Sequence, residues 1–502
     1  MEASRGLRHH AVAGMGWVAW GSGAIALLKV VVLVLLTRLL TPADFGLVSA
    51  GLIVVSVSLN FSQLGLGPAV VQRSALEPRH LSTAFVASTT LGLLIAAAVW
   101  GAAPLIAQFF RMEHLVPVVR ALGLLFPIAG IATVPESLLR RELRFRLLAN
   151  RDVLAYGVGY GGVGVVLALL GWGVWALVAA QLTQAVIRTV ILLGAAPPFL
   201  RARPTWPSFL ELMEYGIGQS AARLGMITAN QADNLVVGRW LGAVPLGEYS
   251  RAFQLASVPA TLLGDVVDKV LFPMMARVQE DARRLATAYL EGTALLALVT
   301  LPVGVVAAIL APDLVAVAFG DPWLGIVAPF QVLALGMMFR TGHRVSDSLA
   351  RATGKVYRRA WRQFLYAGLV FLGSLIGQFW GLTGVAIGVL CALSVNYVLM
   401  AQLSLEVIEI PWTRFLLVQL PAVRLALITG AATLAATAGA RALGWPPGAS
   451  LLTGTLGALG SAALAAWVAP TLALGEDGVR TRDTLRALLL ARRRLAAAPE
   501  SR

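Results

Sequence analysis

The chain has 502 residues, of which 58% are apolar and 13% charged, with 40 basic side chains against 25 acidic ones and a net charge of +15. A soluble protein carries about a quarter of its residues as charges, so this composition excludes a soluble globular fold and describes a chain that lives in lipid. The polar breaks are all shorter than a folded domain, which needs ~50 residues or more, and leave no room for an extramembrane catalytic module.

Taken in chain order, the apolar runs predict fourteen membrane helices, near 13–36, 46–66, 82–104, 115–135, 153–170, 173–193, 212–236, 246–268, 287–310, 325–345, 362–380, 383–405, 416–437 and 449–469. The first follows Arg5 and Arg8 as a signal sequence would, but it is too long and further spans follow, so it reads as a retained helix. The stretch GVGYGGVGVV at 157–166 falls in the fifth span with no strand before it, which points to close helix packing and not to nucleotide binding. Cys391, the single cysteine, excludes an intrachain disulfide framework and reads as a small core residue.

After the first span comes TRLLTPADFGLVS, and after the seventh comes GRWLGAVPLGEYS, in which Arg38, Leu40, Gly46 and Ser49 recur as Arg239, Leu241, Gly247 and Ser250. Six helices separate the two, an even number, so the halves are expected to be parallel copies related by an axis along the membrane normal. The division that follows is an N-terminal lobe over 1–200, a C-terminal lobe over 201–410, an added helix pair over 411–474 and a basic tail over 475–502. In that tail Leu485, Leu488, Leu489 and Leu495 can share a face opposite Arg486, Arg493 and Arg494; a helix lying on the inner leaflet and a frayed end both fit.

With the N-terminus in the cytoplasm, most basic residues fall in inside loops, tails or adjoining helix ends, among them RRELRFR at 140–146, RARP at 201–204 and RATGKVYRRAWR at 351–362. The outside breaks hold Arg38, Arg111, Arg239 and Arg441. Cytoplasmic loops retain Lys and Arg, so this bias places both termini in the cytoplasm and makes the net charge a signature of topology, with contact to anionic lipid at the inner loops. No basic, aromatic-interleaved soluble module is present to bind nucleic acid.

Charges at membrane depth usually face a bundle interior or a wet cavity. On the seventh span Gln219, Arg223, Asn230, Asp233 and Asn234 share one stripe, and a shift of 201 sets Ser22 against Arg223 and Lys29 against Asn230. The eighth span presents Arg251, Gln254, Thr261, Asp265 and Asp268, and the second Ser49, Ser56, Asn60 and Gln63. With Arg120 in the fourth span and Arg340, His343, Arg344 and Asp347 at the end of the tenth, these predict a cationic cavity suited to an anionic ligand, because guanidinium groups hold phosphate oxygens through paired hydrogen bonds. Two readings stay open for several of them. Arg223 with Asp233 would also make an interhelical pair, and Arg340, Arg344 and Asp347 would also suit the inner water boundary.

Asp265, Asp268, Arg340, His343, Arg344 and Asp347 are the candidates for ion coupling or an inner gate, with a proton or sodium as the coupling ion, and Arg38 with Arg239 are candidates for the outer rim. His9, His10, His80 and His114 do not cluster as metal ligands do. GxSxG, HExxH and P-loop motifs are absent, so no cofactor and no catalytic residue are assigned, and a transporter drawing on a gradient is expected in place of an enzyme.

Residues 37–73, TRLLTPADFGLVSAGLIVVSVSLNFSQLGLGPAVVQR, resemble bacterial polysaccharide-exporting lipid flippases of the multidrug, oligosaccharidyl-lipid and polysaccharide superfamily. PESLLRRELRFR at 135–146, ADNLVVGRWLGAVPLGEYSRAFQLASVP at 232–259 and VLFPMMARVQED at 270–281 are similar to family segments in the same order, so the resemblance covers about residues 10–405. It implies an all-α integral membrane protein with two six-helix lobes and two further helices around a V-shaped central cavity. The implied activity is moving a polyprenyl-diphosphate-linked oligosaccharide from the inner to the outer leaflet of the cytoplasmic membrane for exopolysaccharide, capsule or O-antigen assembly. Polysaccharide polymerase and export machinery are the implied partners. On that analogy Lys29, Arg120, Arg223 and Arg251 would meet the diphosphate or acidic sugars, with Asn230 on the same face, and Asp233 with Asn234 would meet sugar hydroxyls or serve coupling. The alternatives are a multidrug or cation antiporter of the same superfamily, a membrane glycosyltransferase or polymerase, and a silent scaffold of the export machinery.

Overall fold

The structure is a computed structural model and describes residues 26–63, 65–73, 75–197, 202–213, 231–471, 473 and 475. All regular structure among these is helical. In order they form α1 (26–39), α2 (Pro42–Gln63), α3 (Leu66–Gln72), α4 (Pro78–Phe110), α5 (Leu115–Leu122), α6 (Leu125–Arg141), α7 (Phe145–Tyr156), a π-helical stretch Gly157–Gly164, α8 (Val165–Leu169) and α9 (Val174–Ala195). There follow α10 (206–213), a helical stretch at 231–236 that runs into a π turn (Val237–Leu241), α11 (Ala243–Val266), α12 (Phe272–Arg277) and α13 (Ala282–Ala318). Last come α14 (Val327–Leu335), α15 (Met337–Ala352), α16 (Val356–Gly377), α17 (Gly381–Ile408), α18 (Trp412–Ala442) and α19 (Pro447–Val468).

Ten stretches among the described residues are long and apolar enough to cross a membrane, and the longest, Tyr357–Ile408, joins the expected eleventh and twelfth spans. This is a multi-pass membrane protein. The expected limits were short at both ends: 82–104 became Pro78–Phe110, and 287–310 became Ala282–Ala318. At 1.5 Å per residue the 33 residues of α4 extend well beyond a ~30 Å hydrocarbon layer, and hydropathy registers only the part inside it. The seventh span falls mostly on residues 214–230 and the basic tail on 476–502; both lie outside the described residues, as do Arg223 and Asn230.

By internal contacts the chain divides into two compact units. Unit 1 comprises Met1–Arg251, Ala318–Gly325 and Ala367–Val385, and unit 2 comprises Ala252–Val317, Ile326–Tyr366 and Ala386–Arg502. In unit 1 Leu66, Val70, Val134, Leu139, Leu192 and Leu212 centre one buried cluster. Close backbone approach supplements it, since α4 and α6 interlock where a Cβ on Gly92 would strike the Phe126 carbonyl and one on Gly130 the Ser88 carbonyl. Lipid offers little hydrophobic drive for helix association, so small residues and short contacts must supply it. The Gly-rich stretch does the same work: a Cβ on Gly159 would meet the Ala180 carbonyl of α9.

In unit 2 Tyr289, Met338, Val345, Leu349, Tyr397 and Phe415 lie in the corresponding cluster. There α18 and α19 are tied to α13 by Asp313, which is 6% exposed and accepts from Arg441 and from Ser450 at 2.8 Å each. Cys391 corrects the sequence reading: it is exposed on α17, so it occupies a surface position on a lipid-exposed span. Apolar character cannot separate a lipid-facing position from a core one.

The repeated motif starts α2 and α11. Thr41 precedes α2 and forms a reciprocal cap with Asp44, its N–H donating to Oδ2 at 3.0 Å while the Asp44 N–H donates to the Thr41 hydroxyl at 3.3 Å. Within unit 1 the two copies touch. A Cβ on Gly46 would collide with the Ala243 carbonyl, and one on Gly247 with the Pro42 carbonyl, Ala243 and Pro42 being equivalents themselves. Ser49 and Ser250 share a hydrogen bond at 3.0 Å. Each repeated glycine is thus needed because the other copy's backbone lies against it, and the turns obey a local two-fold relation.

Candidate functional site

The sequence-predicted cations separate into those the fold brings together and those it does not. Lys29, on α1, lies 5.9 Å from the centre of the Tyr156 ring. Tyr156 stacks on Tyr160 with centroids 4.9 Å apart and planes at 16°, an arrangement set by the π-helical stretch that follows α7. The Tyr160 hydroxyl donates to Gln181 Oε1 of α9 at 2.6 Å. Arg251 is within electrostatic reach of both tyrosines and stacks on Phe45 at 4.9 Å. Lys29 and Arg251, 222 positions apart, are therefore both near one tyrosine pair.

Around this pair lies an ionic network that the sequence reading missed. Asp152 Oδ1 accepts from Arg151 Nη2 and Arg188 Nη2, each at 2.7 Å, and Glu136 accepts from Arg140 at 2.6 Å and Arg151 at 3.3 Å. Arg188 and Asp152 are also charge neighbours of Lys29. Two carboxylates thus face four cations, of which Arg151 is buried, Arg188 is half-buried, and Arg140 and Lys29 are exposed. Arg188, isolated in the apolar run TQAVIRTVILL, was the available signal. Arg151 and Asp152 lie just before the expected fifth span, 153–170, and neither they nor the tyrosines are singled out.

Arg120 is not part of this cluster. Its guanidinium stacks on Trp100 at 4.4 Å, and Trp100 is 56% exposed. Asp233 and Asn234 are 2% and 8% exposed; Asp233 accepts from the Tyr249 hydroxyl at 3.0 Å and from the Asn234 N–H at 2.8 Å, while Asn234 Oδ1 has no partner.

The rim candidates are fixed by helix ends. Arg38 lies in the last turn of α1 and donates to the Ala318 carbonyl that ends α13, at 3.2 Å. Arg239 lies 5.6 Å from the Phe109 ring at the end of α4 and 5.4 Å from Trp240. Cations at helix C-termini meet the unsatisfied carbonyls and the negative end of the dipole. Beside Arg38, the indole N–H of the fully buried Trp323 donates to the Thr37 carbonyl at 2.8 Å.

In unit 2, Arg340, His343, Arg344 and Asp347 do occupy one face of α15. Arg340 donates to Ser257 at 2.8 Å and stacks on Phe253 at 4.2 Å, although its Nε is buried and unpartnered. His343 Nδ1 is 3.2 Å from the Phe339 carbonyl. Arg344 lies against Gly264, where a Cβ would strike it. Asp347 is matched by Arg351 at 3.1 Å and by Arg359. Asp265 and Asp268 fall in the helical backbone around α11, but their side chains are outside what the structure describes. No group of three His, Cys, Asp or Glu is assembled among the described residues.

Sequence comparison places this architecture. The profile of a family described as "Polysaccharide biosynthesis protein" matches residues 35–328, more than half of the chain. The teichuronic acid biosynthesis protein TuaB of Bacillus subtilis (strain 168) is 26% identical over 354 residues, 68% of this chain and 71% of that protein. The lipopolysaccharide biosynthesis protein WzxC of Escherichia coli (strain K12) is 23% identical over 400 residues, 78% and 80% of the two chains. Among solved structures, the inward closed conformation of the lipid II flippase MurJ superposes with a TM-score of 0.66 at 13% identity over 89% of this chain and 98% of that one, a likeness of fold. The chain belongs to the polysaccharide biosynthesis protein family.

Proposed function

We propose that the protein flips a polyprenyl-diphosphate-linked oligosaccharide from the inner to the outer leaflet of the bacterial cytoplasmic membrane, through alternating access of its two repeats. The observation that carries this reading is the tyrosine pair with Lys29 and Arg251 near it, beside a network with more cations than carboxylates. A diphosphate takes charge-assisted hydrogen bonds from such groups, and tyrosine faces and hydroxyls suit sugar rings. The names of TuaB, WzxC and MurJ support a role in delivering cell-surface glycan.

An antiporter for cationic drugs would need unmatched carboxylates. Of the candidate carboxylates whose side chains are described, Glu136, Asp152 and Asp347 are each held by arginines, and Asp233 by Tyr249. A glycosyltransferase would need an acidic catalytic loop, and no such sequence is present. Basic loops at the inner face and both termini in the cytoplasm complete the reading.

The test is reconstitution of the full chain in vesicles with a fluorescent lipid-linked glycan, scoring the fraction accessible to a quencher on the opposite side. Wild-type protein is expected to equilibrate the probe and Arg251→Glu to fail while remaining folded in the membrane. Equal transport by the two would sink the assignment.

A further inference from the structure

A groove of unit 1 is lined by neither Tyr156 nor Tyr160. It is open, with a volume of about 560 Å³, and is lined by Arg144, Arg146 and Asn150 together with Leu147, Leu154 and Ile191. The chain builds it by reversing sharply after α6. Leu143 takes φ 56°, a left-handed conformation that costs a non-glycine residue roughly 1–2 kcal/mol. The turn is closed by the Arg144 N–H donating to the Leu139 carbonyl at 2.9 Å and the Leu143 N–H to the Arg140 carbonyl at 3.1 Å. Leucine has no intrinsic reason to sit there, so the reversal is imposed by packing, and it brings Arg144 and Arg146 to the groove.

The charges at this groove differ in kind. Arg151 also contributes to its wall, but it is 4% exposed and already answered by Glu136 and Asp152. Arg144 is exposed and no described residue engages its guanidinium; Arg146 is exposed too. No carboxylate lines the groove. Its apolar wall is open, Leu154 being 54% exposed in a membrane-spanning stretch, where exposure means contact with acyl chains. A soluble anion would use the arginines and leave Leu147, Leu154 and Ile191 without purpose. An amphiphile uses both.

We propose that this groove binds an anionic phospholipid of the inner leaflet, its phosphate on Arg144 and Arg146, its headgroup against Asn150 and an acyl chain along Leu147, Leu154 and Ile191. The charge bias of the loops assigns this end of the bundle to the cytoplasmic side, where anionic lipid attracts basic groups. The site shares Arg151 with the ionic network, but its proposed contacts are made by other residues and Lys29 and Arg251 take no part in it.

The experiment is native mass spectrometry of the full-length protein, released from detergent, with phosphatidylglycerol, phosphatidylcholine and a polyprenyl diphosphate as three separate probes. Wild type should retain phosphatidylglycerol about tenfold better than phosphatidylcholine, and Arg144→Gln with Arg146→Gln should remove that preference. Arg251→Gln should leave it intact, and Leu154→Glu should weaken retention of either phospholipid. Melting curves verify that the variants fold, and the wild-type preference itself decides should the double variant not do so. Equal retention of the two phospholipids by wild type, or an unchanged preference in a folded double variant, overturns the proposal. So does a double variant that loses only polyprenyl diphosphate, which would make the groove a port for transport substrate.

Discussion

Unit 1 and unit 2 both bury arginines, but they treat them differently. In unit 1 the carboxylates Glu136 and Asp152 engage Arg140, Arg151 and Arg188, which leaves Lys29 and Arg251 on tyrosine and phenylalanine faces. In unit 2 Asp347 is held between Arg351 and Arg359, while Arg340 is anchored by Ser257 and Phe253. An aromatic face holds a cation weakly, roughly 0.5–2 kcal/mol, whereas a carboxylate holds it by charge-assisted hydrogen bonds. On the proposed function the unit 1 arrangement would serve as a site and the unit 2 arrangement as a strut.

The sharpest way to break this distinction is to compare Arg251→Gln with Arg340→Gln in the vesicle assay. The first should slow transport by about a hundredfold, the scale of losing ~3 kcal/mol of charge-assisted contact, and the second by a few fold at most. Comparable losses would erase the difference between the units.

Next comes the turn that carries Phe45, on which Arg251 stacks. Gly46→Val drives a side chain into the Ala243 carbonyl and should cost about 1–3 kcal/mol of stability, read as a lower melting temperature and a secondary loss of transport. Gly101→Ala on α4, where a Cβ would meet nothing within 4 Å, is the matched control and should be near neutral.

A smaller effect is expected from the struts themselves. Asp152→Asn leaves the buried Arg151, 4% exposed, with Glu136 as its one remaining carboxylate and should destabilise by about 1–2 kcal/mol; Asp347→Asn, whose arginine partners are each 32% exposed, should cost about 1 kcal/mol or less. Reversal of that order in denaturation measurements would show that burial is not what sets the two units apart.

The smallest expected effect concerns acid. His80 is fully buried, and its Nδ1 accepts from the Glu77 N–H at 3.1 Å, so Nε2 is the nitrogen that donates to Glu211 at 3.2 Å. Hydrogen bonds from His80 and then Arg73 hold the Glu211 carboxyl below its usual range. A depressed folded-state pKa contributes stability that is present above the unfolded value near 4.5 and is lost as pH falls through the folded pKa. Wild type and Glu211→Gln should therefore differ slightly at neutral pH and converge as pH falls through the depressed folded-state pKa of Glu211. A gap that persists in acid would remove the carboxylate from the explanation.

Much of this was legible in the chain. Spans, the repeat and the idea of a cationic interior followed from where apolar runs stop and where charges interrupt them. Lys29 and Arg251 were named from helical spacing, and the fold sets them beside one tyrosine pair. Arg120 was named on the same grounds and lies against Trp100, because a span has several polar-tolerant directions and periodicity does not say which faces the interior. Arg151, Asp152 and Arg188 went unread because their pairing joins α7 to α9, a relation without a sequence signature.

The sequence by itself determined that this chain spans a membrane repeatedly, that it contains a duplicated turn, and which family it belongs to. These are properties of composition and of local strings, and they survive any arrangement of the helices. Only the tertiary structure decided that Gly46 and Gly247 are glycines because each admits the other copy's backbone, and that Ser49 reaches Ser250. It also decided which cations are answered by carboxylates and which rest on rings. The physical reason is that pairing depends on distances of a few ångströms between segments far apart in the chain, and only packing sets those distances.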